Sequence, residues 1–292
     1  NTICVISVKI KTLLMKYLSL VILLCLGILF TACKKAAVEE PSSGDVEGYV
    51  ETRGFKMFYE MTGEGDPLLI IHGNGGSHKE FNNQIPFFKE HYKLILPDSR
   101  AQGESKDPGD SLSYEMMADD YNALLDSLHI DSCYVIGWSD GGINGLLLAM
   151  HHPDKVKKLA ITGANLWPDS TAVNSWAIHN ISHIRDSISS IPQTDEIKHV
   201  RKLFHLLLDE PNITTEQLSH ISCPTLVMGG DHDVILPQHT LLIAQSIPKS
   251  YCYIFPNSGH GTLIRYKDEF NNKVLEFLQK PYRVIKGRDI FQ

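Results

Sequence analysis

The stretch VIGWSDGG, residues 135–142, ends an apolar run with a Gly-x-Ser-x-Gly sequence, and a second apolar run follows at once. A serine in this setting is typical of a tight turn between a strand and a helix, in which Ser139 takes a strained backbone conformation. The positions two residues away must be nearly free of side chain, and they are Gly137 and Gly141. Such a turn raises the hydroxyl above the edge of a sheet and points helix N–H groups at a bound group. A nucleophile elbow and an ordinary glycine-rich turn both fit this stretch taken alone.

The rest of the chain alternates between strand and helix patterns. Strand patterns cover residues 46–52, 55–61, 67–72, 92–96, 133–138, 156–162, 224–228 and 251–255. Helix patterns cover residues 114–129, 141–151, 238–246 and 263–279. This order predicts an α/β fold with a mostly parallel eight-stranded sheet and helices on both faces. At about residues 165–222 the alternation gives way to short amphipathic stretches, which predict a small helical cap over the carboxyl edge of the sheet.

Composition excludes several classes of protein. The chain has 292 residues, 43% of them hydrophobic, and a formal net charge of −7. Removal of the leader described next would take away three lysines and no acid, and would make the charge three units more negative. A surface this acidic argues against nucleic acid as a partner and against electrostatic docking on anionic lipid.

The first 45 residues predict export. A basic start at Lys16 precedes an apolar run over residues 18–30, which has the length of a signal-peptide core and is short for a bilayer span. The run ends in FTAC, residues 30–33, which resembles a bacterial lipobox with Phe30 where Leu is usual. We therefore predict a leader over residues 1–32, lipidation at Cys33, and a flexible tether over residues 33–45. An uncleaved anchor and an ordinary secretory signal are the alternatives, and all three place the domain of residues 46–292 outside the cytoplasm.

Three cysteines lie in the predicted domain, at or near the start of predicted buried strands. They are Cys133, Cys223 and Cys252, and their spacing does not match a metal site. We expect three small buried apolar side chains, with one disulfide as the alternative.

The chain offers a base and an acid for Ser139. A serine hydroxyl needs a general base, and the base needs an orienting acid. His260 lies in NSGHGT directly after the last predicted strand, and His232 is its nearest rival. GGDHDVILP follows the seventh strand and offers Asp233, which we favour, and Asp231, which fits a turn-capping role better.

Backbone donors for an oxyanion come from two loops. HGNGG, residues 72–76, follows the third strand, and its glycines allow a close approach of backbone to a ligand. The N–H groups of Asn74 and Asp140 are the natural pair of donors. A phosphate-binding glycine loop is the alternative, but no Lys-Ser/Thr follows the glycines.

These motifs, together with DSRAQGES at residues 98–105, resemble the α/β-hydrolase superfamily over roughly residues 46–279. Ala101 stands where that superfamily usually has Gly. The nucleophile is Ser and not Asp, a departure from haloalkane dehalogenases and epoxide hydrolases. GWSDGG, ITGAN at residues 161–165 and the short cap look most like the biphenyl hydrolase-like (valacyclovirase) group, whose best-known member hydrolyses α-amino-acid esters. The resemblance implies that Asp140 binds the substrate ammonium, and the alternative is that it only complements the helix dipole.

The expected function is therefore that of an exported, lipid-anchored serine hydrolase that acts on a small-molecule carboxylic ester through Ser139, His260 and Asp233. This chemistry needs no metal and no organic cofactor. Two alternatives stay open: an enzyme that breaks a C–C or amide bond with the same triad, and a catalytically silent binding lipoprotein.

Overall fold

The computed structural model describes residues 45–287 and residue 289. The predicted leader, the predicted lipidation at Cys33 and nearly all of the predicted tether lie outside these residues and stay predictions. Across the described part of the chain, no helix has the length and apolar character needed to span a bilayer.

One eight-stranded sheet forms the centre of the described unit, with strand order β1-β2-β4-β3-β5-β6-β7-β8. The strands are β1 (Val46–Thr52), β2 (Phe55–Thr62), β3 (Pro67–Ile71), β4 (Lys93–Pro97), β5 (Cys133–Trp138), β6 (Val156–Thr162), β7 (Thr225–Gly230) and β8 (Ser250–Phe255). The β1-β2 and β2-β4 pairs are antiparallel and the other pairs are parallel. The predicted mostly parallel eight-stranded sheet is confirmed.

Helices cover both faces of this sheet. They are α1 (Ile85–Phe88), α2 (Tyr114–Ser127), α3 (Asp140–His151), α4 (Ser175–Ser189), α5 (Asp195–Asp209), α6 (Thr215–Leu218), α7 (Pro237–Ser246), α8 (Thr262–Arg265) and α9 (Lys267–Gln279). Successive residues of a strand point to opposite faces, and Leu69 and Ile71 belong to one apolar cluster while Leu68 and Ile70 belong to another. The sheet is therefore buried between two cores, as the apolar strand patterns indicate.

The chain leaves the sheet after β6 and returns at β7, although these two strands are hydrogen-bonded neighbours. The intervening segment contains α4, α5 and α6. Its first part pairs with the loop after β7 through a bridge between Val173 and Ile235. We use the name cap for this segment, residues 165–222.

Two details differ from the sequence expectation. The closing helix predicted over residues 263–279 is two helices, α8 and α9, which are separated at Tyr266. Cys133 and Cys223 are buried as expected, but Cys252 is exposed, because β8 is the edge strand of the sheet. All three of these cysteines are free, so the alternative of a disulfide among them is wrong.

Candidate active site

Ser139 lies on the turn between β5 and α3 with a backbone conformation that L-residues rarely adopt. Its φ is 55° and its ψ is −119°. A Cβ on Gly137 would overlap the carbonyl of Gly141, and a Cβ on Gly141 would overlap the carbonyl of Ile71. Side chains at either position would therefore force the turn open, which is the physical reason for the Gly-x-Ser-x-Gly spacing.

Ser139, His260 and Asp233 form one chain of hydrogen bonds. His260 Nδ1 lies 2.6 Å from Asp233 Oδ1, and His260 Nε2 lies 2.9 Å from Ser139 Oγ. The Asp233 carboxylate only accepts, so Nδ1 carries the proton and Nε2 accepts from the serine hydroxyl. The structure thus brings together the three residues that were singled out from three separate loops of the sequence.

Neighbouring groups stabilise the ionised form of Asp233. Its side chain is fully buried, yet its oxygens accept the N–H groups of Ile235 at 3.2 Å and Gly230 at 3.3 Å. Burial raises the pKa of this carboxyl, but the charge of His260 and the hydrogen bonds more than offset burial, and the pKa is lowered overall. Asp233 therefore stays ionised and can stabilise an imidazolium at His260.

The same pair sets the protonation of His260. Burial lowers the pKa of the imidazole, but the charge of Asp233, its hydrogen bond and the charge of Asp140 raise it, and the net pKa lies above the ordinary 6.5. Only the neutral imidazole can accept the serine proton.

We therefore expect kcat/KM for ester hydrolysis to fall on acidification with a midpoint above pH 6.5, and to reach a plateau as His260 loses its proton at higher pH. A pH series of initial rates with an uncharged ester measures this midpoint. A midpoint clearly below 6.5 would contradict the protonation state that we assign to His260.

Two residues that sequence reasoning did not single out hold His260 in position. The indole Nε1–H of Trp138 donates to the backbone oxygen of His260 at 3.0 Å. Gly163 directly follows β6 with a φ of +69°, and a Cβ there would lie 2.7 Å from His260 Cε1. The glycine in ITGAN was the available signal, because a glycine directly after a strand often marks a close approach.

The two rival residues lie elsewhere. His232 is exposed, with 77% of its side chain accessible, and its Nδ1 lies 2.8 Å from Asp231 Oδ1. Asp231 also accepts the backbone N–H of Ser258 at 3.0 Å. Asp231 therefore orders the loops after β7 and β8 and does not contact His260.

The HGNGG loop runs beside Ser139. A Cβ on Gly73 would lie 3.3 Å from the Cβ of Ser139, so the loop approaches closely only because this residue is Gly. The next residue is Asn74, and the N–H of Gly75 donates to Gln102 Oε1 at 2.6 Å. Asn74 follows Gly73 in the chain and Asp140 follows Ser139. The two predicted oxyanion donors, the N–H groups of Asn74 and Asp140, therefore belong to the residues next to the close approach of Gly73 and Ser139.

Asp140 is the first residue of α3 and is only 2% exposed. Its Oδ2 accepts from Asn74 Nδ2 at 2.9 Å, and the Tyr114 hydroxyl also hydrogen-bonds to the carboxyl. Burial raises the pKa of Asp140 to about 6, although those two hydrogen bonds and the charge of His260 oppose the rise. A carboxylate that is ionised at neutral pH thus lies directly next to the serine.

A second carboxyl, Glu80, was missed in the sequence because nothing in the local pattern marks it. It lies close against Gly76 in the HGNGG loop, and the N–H of Gly73 hydrogen-bonds to it. Burial raises the pKa of Glu80 to about 7, and the charge of Asp140 adds to the rise. The HGNGG loop is thus in contact with a carboxyl whose pKa lies near neutral pH.

Comparison with known proteins identifies the fold. The family model described as alpha/beta hydrolase fold matches residues 66–179. A hydrolase structure from Pseudomonas aeruginosa PA01 superposes with a TM-score of 0.69 at 21% identity, over 80% of this chain and 98% of that one. The chain has the α/β-hydrolase fold.

The sequence relatives of the chain include hydrolases. The chain is 29% identical to "Serine hydrolase BPHL" of Mus musculus over 255 residues, which are 79% of this chain and 85% of that protein. It is 24% identical to "2-hydroxy-6-oxo-6-(2'-aminophenyl)hexa-2,4-dienoic acid hydrolase" of Metapseudomonas resinovorans, over 83% of this chain and 94% of that protein. These likenesses support the α/β-hydrolase superfamily and a hydrolase activity.

Proposed function

We propose that the protein is a serine hydrolase that cleaves carboxylic esters, α-amino-acid esters among them, through an acyl-enzyme. The observation that carries this proposal is the hydrogen-bond chain from Ser139 Oγ through His260 to the buried Asp233. A serine with a neutral imidazole at 2.9 Å and a lowered-pKa carboxylate behind it has the arrangement that activates a hydroxyl for attack on a carbonyl.

The proposed reaction has two halves. Ser139 Oγ attacks the ester carbonyl while His260 Nε2 takes the hydroxyl proton, and the N–H groups of Asn74 and Asp140 stabilise the oxyanion. The imidazolium then gives its proton to the leaving alcohol, which leaves an acyl group on Ser139. Water then enters, loses a proton to His260 and attacks the acyl carbonyl. The imidazolium returns that proton to Ser139 Oγ as the acid leaves, which restores the serine and the neutral imidazole.

Asp140 supports the choice of α-amino-acid esters. It directly follows the nucleophile in the chain, and its pKa of about 6 keeps its carboxyl charged at neutral pH. A buried carboxylate attracts an ammonium group and repels an anionic acyl group. The competing role, stabilisation of the N-terminus of α3, would give no preference for a cation.

We expect wild-type enzyme to hydrolyse an α-amino-acid ester at least tenfold faster than its N-acetylated twin, and Asp140→Asn to lose this preference. Asp140→Asn should also move the acidic midpoint of kcat/KM to lower pH, because the charge of Asp140 raises the pKa of His260. Asp186→Asn, which removes an exposed carboxylate of the cap, is the matched control.

Equal rates for the two esters in both enzymes would leave Asp140 with the helix role and the protein as a general esterase.

The name of the Metapseudomonas relative favours a second candidate, hydrolysis of a 2-hydroxy-6-oxo dienoic acid with the same triad. Parallel assays with such an acid, with amides and with esters separate the two. A catalytically silent binding protein would leave Ser139 unlabelled by a fluorophosphonate, which reacts only with an activated serine.

A further inference from the structure

The side chain of Asn74 connects the cap to the site of the nucleophile. Its Nδ2 donates to Asp140 Oδ2 at 2.9 Å and to the backbone oxygen of Leu203 at 3.3 Å. Leu203 belongs to α5 of the cap, and its side chain packs against the apolar cluster that contains Leu69 and Ile71. An amide nitrogen has two hydrogens, so both donors of the Asn74 side chain are in use.

The other end of α5 reaches the same carboxyl by a second route. Glu210 follows α5 directly, and its Oε2 accepts the backbone N–H of Tyr114 at 3.0 Å. The Tyr114 hydroxyl hydrogen-bonds to Asp140. Two hydrogen-bonded routes thus lead from α5 to the residue that follows Ser139.

Asn74 differs from Tyr114 because its own backbone N–H is one of the two proposed oxyanion donors. A shift of α5 therefore acts on this donor through the Asn74 side chain, and on the second donor through Asp140. By contrast, Gln102 holds the same loop at the N–H of Gly75 without a hydrogen bond to α5 or to Asp140.

We infer that Asn74 is a positioning residue that couples the position of α5 to the alignment of the oxyanion donors. Through this coupling it sets the preference of the enzyme for the size of the acyl group. This inference rests on the proposed function. On this inference, a long acyl group extends from Ser139 to the cap, and an acetyl group does not reach it. Contacts with a long acyl group accelerate acylation only if they improve the alignment of the donors, and Asn74 provides that connection.

The test compares kcat/KM for p-nitrophenyl octanoate and p-nitrophenyl acetate in wild type, Asn74→Leu, Asn74→Ala and Gln102→Leu. We expect both Asn74 variants to lower the octanoate-to-acetate ratio about tenfold, because the cap can then no longer improve the alignment of the oxyanion donors when a long acyl group is bound. Gln102→Leu should slow both esters by a similar factor and keep the ratio within threefold of wild type. Thermal unfolding of each variant checks that the fold is intact.

An octanoate-to-acetate ratio that stays within threefold of wild type in both folded Asn74 variants would overturn the inference, as would an equal change in Gln102→Leu. A wild type that hydrolyses neither ester would count against the proposed function alone. The same ratio is then taken from the labelling rates of Ser139 by a long-chain and a short-chain fluorophosphonate. Failure of the wild type to be labelled by either reagent would overturn both proposals.

Discussion

Replacement of Ser139 by Ala is expected to lower kcat for ester hydrolysis by on the order of 10⁶-fold while the protein stays folded. In the proposed mechanism this hydroxyl supplies the attacking oxygen. Within the described residues, Ser139 Oγ is the hydrogen-bond partner of His260 Nε2. His260→Ala should cost nearly as much, because the hydroxyl is a poor nucleophile without its base. Initial rates and a thermal unfolding curve for each variant measure both effects.

The double variant, with both Ser139 and His260 replaced by Ala, distinguishes catalysis from simple damage. Residues that act as a unit are not additive, so the double variant should be no slower than Ser139→Ala alone. Ser187→Ala, an exposed serine on α4 whose hydroxyl donates to the His183 carbonyl, is the matched control and should keep full activity. Full activity in Ser139→Ala or in His260→Ala would refute the assignment of the site.

The second large effect is expected for Gly163→Ala, with a loss of at least about a hundredfold in kcat. A Cβ at this position would lie 2.7 Å from His260 Cε1 and 2.9 Å from His260 Nδ1, so the ring must shift from the position in which it contacts Ser139. A displacement of about 1 Å at a catalytic group costs on the order of a hundredfold in rate. Single-turnover and steady-state rates with a p-nitrophenyl ester would measure this loss.

Gly54→Ala separates this steric effect from backbone strain. Gly54 has a φ of +89° in the β1-β2 hairpin, and a Cβ there would have nothing within 4 Å. Both substitutions place Ala in a left-handed conformation, which costs about 1–2 kcal/mol of stability. Gly54→Ala should therefore be destabilised and fully active. A Gly163→Ala enzyme as active as wild type would show that the His260 ring tolerates the methyl group.

The residues of the candidate site could be predicted from the sequence because each follows a strand of a parallel sheet. Ser139 follows β5, Asp233 follows β7 and His260 follows β8, and the carboxyl ends of parallel strands meet at one edge. Strand patterns and chain order therefore predicted their proximity without any knowledge of side-chain contacts. Ala101, where the superfamily usually has Gly, has a φ of 62°, and this conformation explains why glycine is usual there.

The connections around Asp140 could not be predicted in this way. Asn74 and Leu203 are 129 positions apart, and their hydrogen bond depends on where α5 lies over the loop. The cap has no strand register to fix that position, and amphipathic patterns predict helices without predicting how they pack. Cys252 shows a related difficulty, because a strand pattern does not reveal which strand lies at the edge of the sheet.

The place where the chain leaves and re-enters the sheet has an evolutionary consequence. β6 and β7 pair directly and in parallel, so the segment between them leaves the sheet at Thr162, the carboxyl end of β6, and re-enters at Thr225, the amino end of β7, which pairs with Leu159. Such a segment is exchangeable by recombination, because a replacement of different length would meet the same two ends. The exchange would still have to supply an acceptor for Asn74 and a carboxylate for the Tyr114 N–H, which Leu203 and Glu210 provide here. A replacement segment that retains these two attachment points would keep the Asn74 side chain and the Tyr114 N–H hydrogen-bonded.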